Sequence, residues 1–221
     1  MGDLLHNVPT RRIGVSTRGV TGAVPSFGRY ESSLERDLME IFRFDPNVER
    51  FVPQPLTIEY RDDLGGLRRY TPDGLIYFKE NAGLVATPVL FEVKYRADFR
   101  KDWKILMPKF RAAKAYCLRH GWRFQIFTER EIRTPYLENV RFLWAYLEQV
   151  PSSDLVAMIL QTLWDLDEAD PDLLLYALCH DSSNRARMIP AVWHLVATGA
   201  IGCDLNLPLT MRSRIWAEME C

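Results

Sequence analysis

Tyr70-Thr71-Pro72-Asp73-Gly74-Leu75-Ile76-Tyr77-Phe78, a polar turn from Lys79 to Gly83, and Val89-Leu90-Phe91-Glu92-Val93-Lys94 read together as a β-hairpin. Side chains alternate along a strand, so Glu92 and Lys94 project from one face with Leu90 behind them, while Phe91 and Val93 point into the core. Asp73 stands at the mouth of the preceding strand. Two carboxylates and an ammonium then converge at one sheet edge, which is costly to maintain unless a cation lies between the carboxylates. A hard, oxygen-seeking ion such as Mg²⁺ suits that space. The plainer alternative is a surface hairpin carrying an ordinary cross-strand charge pair.

Pro72-Asp73 followed by Glu92-Val93-Lys94 resembles the PD-(D/E)XK nuclease signature. That resemblance implies that the two acids hold a metal ion and that the lysine positions or activates the attacking water.

With 221 residues, the chain holds one generous domain or two small ones. A hydrophobic content of 48% beside 26% charged residues is that of a soluble globular protein with ample core material. The net charge of −1 hides a strong asymmetry. Between Lys94 and Arg123 ten Lys and Arg stand against Asp98 and Asp102, whereas between Glu138 and Asp181 nine acids stand against Arg141. The first region can face phosphates and the second cannot. Cys117, Cys179, Cys203 and Cys221 form no C-x-x-C pair and read as free thiols of a reducing cytoplasm. No apolar run reaches the ~20 residues of a membrane span, and no signal peptide is visible, so a cytoplasmic location is expected.

Residues 1–30, with Arg11, Arg12, Arg18 and Arg29 among Gly, Ser, Thr and Pro, read as a flexible basic arm. A helix is expected from Ser32-Ser33 to Asp45-Pro46. Within it, Glu35 has two readings: the acid of a Ser32-x-x-Glu35 capping box, or a third acid of the metal site. Segments 55–61 and 67–71 read as a further hairpin, and with Phe124–Phe127 they suggest a mixed sheet of about five strands. The basic stretch between Lys94 and Phe124 reads as two helices split at Pro108. Arg96, Lys101, Lys104, Lys109, Arg111 and Lys114 on it are candidate DNA-binding residues.

Taken in order, a helix with Glu35, Thr71-Pro72-Asp73-Gly74, Phe91-Glu92-Val93-Lys94, a basic helix, and a strand entering Thr128-Glu129-Arg130-Glu131-Ile132 resemble the TnsA family of transposase endonuclease subunits. The resemblance implies an α/β, restriction-endonuclease-like mixed sheet flanked by helices over residues 31–133. It implies Glu35, Asp73 and Glu92 as metal-site acids, Lys94 as the catalytic lysine, and Mg²⁺ as cofactor with Mn²⁺ as a substitute. It further implies cleavage of the 5′ strand at transposon ends in double-stranded DNA, a TnsB-like transposase partner, and a TnsC-like ATPase regulator reached through the carboxy-terminal domain.

Residues 134–221 read as mainly helical and winged-helix-like: helices over 136–149, 152–166, 173–179 and 187–198, then short strands over 199–205 and 209–216. The acidic excess favours a protein partner for this domain, while Arg185, Arg187, Arg212 and Arg214 leave a smaller DNA-facing surface. His180 and His194 read as structural residues. Two other functions fit the same residues: a stand-alone restriction or repair nuclease, and a non-catalytic DNA-binding adaptor.

Overall fold

The structure is a computed structural model, and it describes residues 22–24, 28–80 and 86–218. The chain divides into two units between Ile132 and Arg133.

The first unit opens with β1 (Gly22–Val24) and β2 (Gly28–Tyr30), which pair antiparallel. This end of the expected basic arm is therefore ordered as a ribbon, and Val24 is buried in the core. Arg11, Arg12 and Arg18 lie outside the described residues. Helix α1 (Ser33–Phe44) starts at the Ser32 cap and ends at Asp45, whose extended backbone is what a following proline favours. There follow β3 (Val48–Pro53), β4 (Ile58–Arg61), β5 (Leu67–Tyr70), β6 (Gly74–Phe78) and β7 (Val89–Val93). Helix α2 (Arg96–His120), β8 (Arg123–Phe127) and α3 (Glu129–Ile132) complete the unit.

The main sheet has four strands in the order β3-β6-β7-β8, antiparallel except for the parallel β7–β8 pair bridged by α2. The expected five-strand sheet is corrected in two ways. Strand β3 joins it, and β4–β5 form a separate two-stranded ribbon.

Alternation along the strands divides the core into two layers. Phe51, Ile76, Phe91 and Val93 pack with Leu34, Leu38 and Phe42 of α1. Val52, Leu75 and Leu90 pack on the opposite face with Ala113 and Cys117 of α2 and with Ile58 and Tyr70 of the ribbon. Covered on both sides, β7 is buried throughout. The expected break at Pro108 does not occur, and α2 runs unbroken for 25 residues. An interior proline costs about 3 kcal/mol. Burying Leu106, Phe110, Ala113 and Cys117 on the sheet outweighs that, at about 1.5–3 kcal/mol for each large side chain.

The second unit contains α4 (Pro135–Trp144), α5 (Ser153–Leu166), β9 (Glu168–Ala169), α6 (Pro171–Leu178), α7 (Ser182–Ala197), β10 (Ile201–Cys203) and β11 (Ile215–Ala217). Ser152, Asp170 and Asp181 cap α5, α6 and α7 by accepting backbone N–H bonds. Because Asp181 caps it, α7 begins five residues before the expected Arg187 and contains Pro190. Helix α4 stops at Trp144, short of the expected residue 149. The strands form an antiparallel sheet ordered β10-β11-β9. Buried His194 contacts the Tyr146 carbonyl through Nδ1 at 2.9 Å, a structural role. No helix among the described residues is long and apolar enough to cross a membrane.

Candidate active site

Asp73 immediately precedes the central strand β6, so it has a strand on each side. Its carbonyl accepts from the Gln54 amide at 3.0 Å on the β3 side, and its Oδ2 accepts from the Val93 amide at 2.7 Å on the β7 side. The β6–β7 register pairs Gly74 with Phe91, and one further step sets Asp73 opposite Glu92. Gly74 allows the Phe91 ring to lie directly over the strand here. A Cβ on it would run into the Phe91 ring and lie 3.1 Å from Phe51. Gln54 has φ +45°, a left-handed backbone that is strained for a residue with a side chain, beside the Asp73 carbonyl.

Glu92 is 4% exposed on the α2 side of the sheet. The Tyr70 hydroxyl donates to its Oε2 at 2.7 Å, and Lys94 Nζ lies 3.2 Å from its Oε1. Lys94 follows β7, and its backbone amide extends the parallel pairing by donating to the Phe127 carbonyl at 3.0 Å. These three side chains share a cleft of about 550 Å³ with Glu31, Glu35, Arg69, Tyr70 and Lys109.

Glu35 fulfils its capping reading and lines the cleft as well. Its Oε1 accepts from Ser32 Oγ at 2.9 Å, and its Oε2 accepts from the Glu31 amide at 2.9 Å. Burial raises its pKa against the lowering effect of those bonds. Asp73 is pushed well above the ordinary carboxylate value, first by burial and then by the charge of Glu92, with Lys94 opposing. Burial disfavours the Lys94 ammonium, yet the carboxylates of Glu92 and Asp73 hold its pKa above the usual lysine value. Burial and the adjacent Glu92 keep the Tyr70 phenol firmly protonated, and therefore a donor.

Among the described residues, no group of three or more His, Cys, Asp or Glu side chains is arranged to hold a metal ion. The donor chemistry nevertheless fits a small hard cation, because Mg²⁺ keeps several waters and binds through one or two carboxylates. Asp73 and Glu92 are such a pair, and their electrostatic conflict is what a cation would relieve.

The six candidate DNA-binding residues do not share one location. Lys109 lines the acid cleft, and Lys104 and Lys109 line a groove beside the β4–β5 ribbon. Arg111 lies on α2 with Asp63 at 3.9 Å. Arg96 borders a different recess with Phe99, Arg100 and Thr128. Lys101 and Lys114 are exposed elsewhere on α2. Sequence reasoning read Tyr70 only as a strand residue and did not find Arg69 or Gln54. The available signal for Tyr70 was a phenol a few residues ahead of Asp73.

Residues 45–129 match the family model for the TnsA-like endonuclease N-terminal domain. The match spans Asp73, Glu92 and Lys94, while Glu35 and the second unit fall outside it. No curated protein matches the chain.

Proposed function

We propose that this chain, a member of the TnsA family over its residues 45–129, is a metal-dependent DNA endonuclease subunit of a heteromeric transposase that cuts the 5′ strand at transposon ends. The observation carrying this reading is the convergence of Asp73, Glu92 and Lys94 in one cleft. Asp73 and Glu92 would hold Mg²⁺ or Mn²⁺, with Glu35 as the adjoining third acid. A bound divalent ion would polarise the scissile phosphate and acidify a coordinated water. Lys94, kept charged by its neighbours, would stabilise negative charge developing on the phosphate oxygens. Tyr70 holds the Glu92 carboxylate in place while that occurs.

The second unit is read as winged-helix-like: α5, β9, α6 and α7 lead into a β10–β11 hairpin, and β11 also pairs with β9. Several of its bases have partners within the unit. Arg212 bridges Asp170 and Asp172 at 3.6 and 3.1 Å, Arg214 pairs with Glu168, and Arg185 donates to the carbonyls of Cys179 and His180. The acidic excess between Glu138 and Asp181 supports a protein partner here, a TnsC-like regulator, alongside a TnsB-like transposase that joins the other strand.

The test is cleavage of end-containing duplex with and without Mg²⁺, alone and with a candidate partner transposase. Asp73→Ala and Lys94→Ala should each abolish cutting and leave DNA binding nearly intact. Residual cutting near the wild-type rate in either variant rejects the site. Metal-independent binding without any cutting would favour the adaptor function.

A further inference from the structure

We propose that the groove between the β4–β5 ribbon and α2 is a track for the sugar-phosphate backbone of duplex DNA. In it, Arg68 and Arg69 of the ribbon act together with Lys104 and Lys109 of the helix. The groove has a volume of about 470 Å³, and its walls also present Leu64 and Ile105. Arg69 and Lys109 line both this groove and the acid cleft, so the two openings are neighbours with shared basic walls. A strand followed along the groove arrives at Asp73 and Glu92. Both that destination and the choice of DNA as the occupant rest on the nuclease reading, whereas the binding measurement below does not depend on cleavage.

The ribbon is built to reach outward rather than to pack. A strand covered on one face alternates buried and exposed residues. In β5, by contrast, Leu67, Arg68 and Arg69 are all exposed, and Tyr70 alone is buried. Ile58 and Tyr70, paired in register, anchor the base of the ribbon in the core, and Leu64 at its tip is 94% exposed.

Both arginines already have carboxylate neighbours: Arg68 Nε lies 2.8 Å from Asp62, and Arg69 Nε lies 3.0 Å from Glu59. The arginine side chains are 62% and 76% exposed, and ion pairs in that setting are weak enough for a phosphate to compete. Asp62 has a separate job, since its Oδ1 accepts from the amides of Leu64 and Gly66 and closes the turn. Phosphate rather than an acidic protein is favoured because the track adjoins a cleft of carboxylates and a lysine suited to a phosphodiester.

The experiment measures affinity of the full chain for a short labelled duplex across a salt series in EDTA. Arg68→Gln/Arg69→Gln should bind at least about tenfold more weakly and flatten the log–log salt slope by about 0.9 per lost phosphate contact. Glu59→Gln, which releases Arg69 without touching the turn, should tighten binding. Thermal melts of both variants establish that they are folded. A folded double variant with wild-type affinity and slope overturns the track, as does weaker binding by Glu59→Gln, and either result would leave an acidic protein as the better occupant. Because EDTA is present, binding is read separately from cleavage. Failure here with Mg²⁺-dependent cutting intact rejects only the track, whereas success here without cutting rejects only the nuclease reading.

Discussion

The Tyr70 hydroxyl donates to Glu92 Oε2 across 2.7 Å, and both side chains are buried, at 5% and 4% exposure. The bond joins the last residue of a separate ribbon to a carboxylate in the middle of the main sheet. Ribbon position and acid orientation are thereby one structural fact.

Removing that hydroxyl leaves a buried carboxylate oxygen without its donor. Tyr70→Phe should therefore cost about 1.5–3 kcal/mol in stability, the range for hydrogen bonds to charged groups. It should also slow cleavage more than it weakens DNA binding. Urea unfolding and single-turnover cleavage read the two effects. An unchanged unfolding midpoint would mean that Lys94 alone holds Glu92.

Asp73 provides a test of opposite sign. Its folded pKa is raised, so the folded chain binds a proton there more tightly than the unfolded chain does. Stability from this group is complete below the ordinary aspartate value of about 3.9 and is lost as pH rises through the folded pKa. Asp73→Asn cannot carry that charge. Without divalent ions it should therefore melt higher than the wild type at neutral pH, with the gap closing toward about pH 3, and it should not cleave DNA. Melting curves across pH decide the matter, and a neutral-pH variant less stable than the wild type would contradict the electrostatic account.

Gly74→Ala tests the packing behind the site. Its methyl group would collide with the Phe91 ring, with Phe51 close by, so either the buried ring or the strand that Asp73 leads into must shift. Overpacking of this kind costs about 1–3 kcal/mol. A folded Gly74→Ala chain should be less stable and should also cleave more slowly, through displaced Asp73. Wild-type values for both would show that the rings can move aside freely.

The legible parts of this chain were those with local causes. Apolar runs on either side of a polar turn exposed β6 and β7, and the parity of strand positions then set Glu92 and Lys94 on one face near Asp73, while Ser32 and Asp45-Pro46 marked both ends of α1. Strand β3 was hidden because Val48-Glu49-Arg50-Phe51-Val52-Pro53 places its apolar residues together at one end instead of alternating. The continuity of α2 through Pro108 was hidden because tertiary burial overrides the local penalty. Alternation in β4 and the turn at Asp62-Asp63-Leu64-Gly65-Gly66 established that β4 and β5 pair but carried no information on whether their edges join the main sheet. That ambiguity also concealed Tyr70, whose role exists only once the ribbon has folded back over Glu92.

Glu35 has two jobs that one pair of substitutions separates. Ser32→Ala removes the hydroxyl that caps α1 and donates to Glu35, which should cost about 1 kcal/mol while leaving the carboxylate in the cleft. Glu35→Gln keeps one acceptor oxygen for the Glu31 amide and turns its NH2 toward Ser32 Oγ, which can accept from it, but it removes the charge. If Glu35 is a third acid of the site, Glu35→Gln should fold with near wild-type stability and require much more Mg²⁺ to cut. Ser32→Ala should melt lower and cut normally at temperatures where it is folded. Calcium titration followed by thermal shift gives a readout apart from cleavage, with Glu35→Gln expected to gain less stability from the ion than the wild type does. Equal gains in both chains, with equal Mg²⁺ dependence of cutting, would reduce Glu35 to a helix cap and leave Asp73 and Glu92 as the acids of the site.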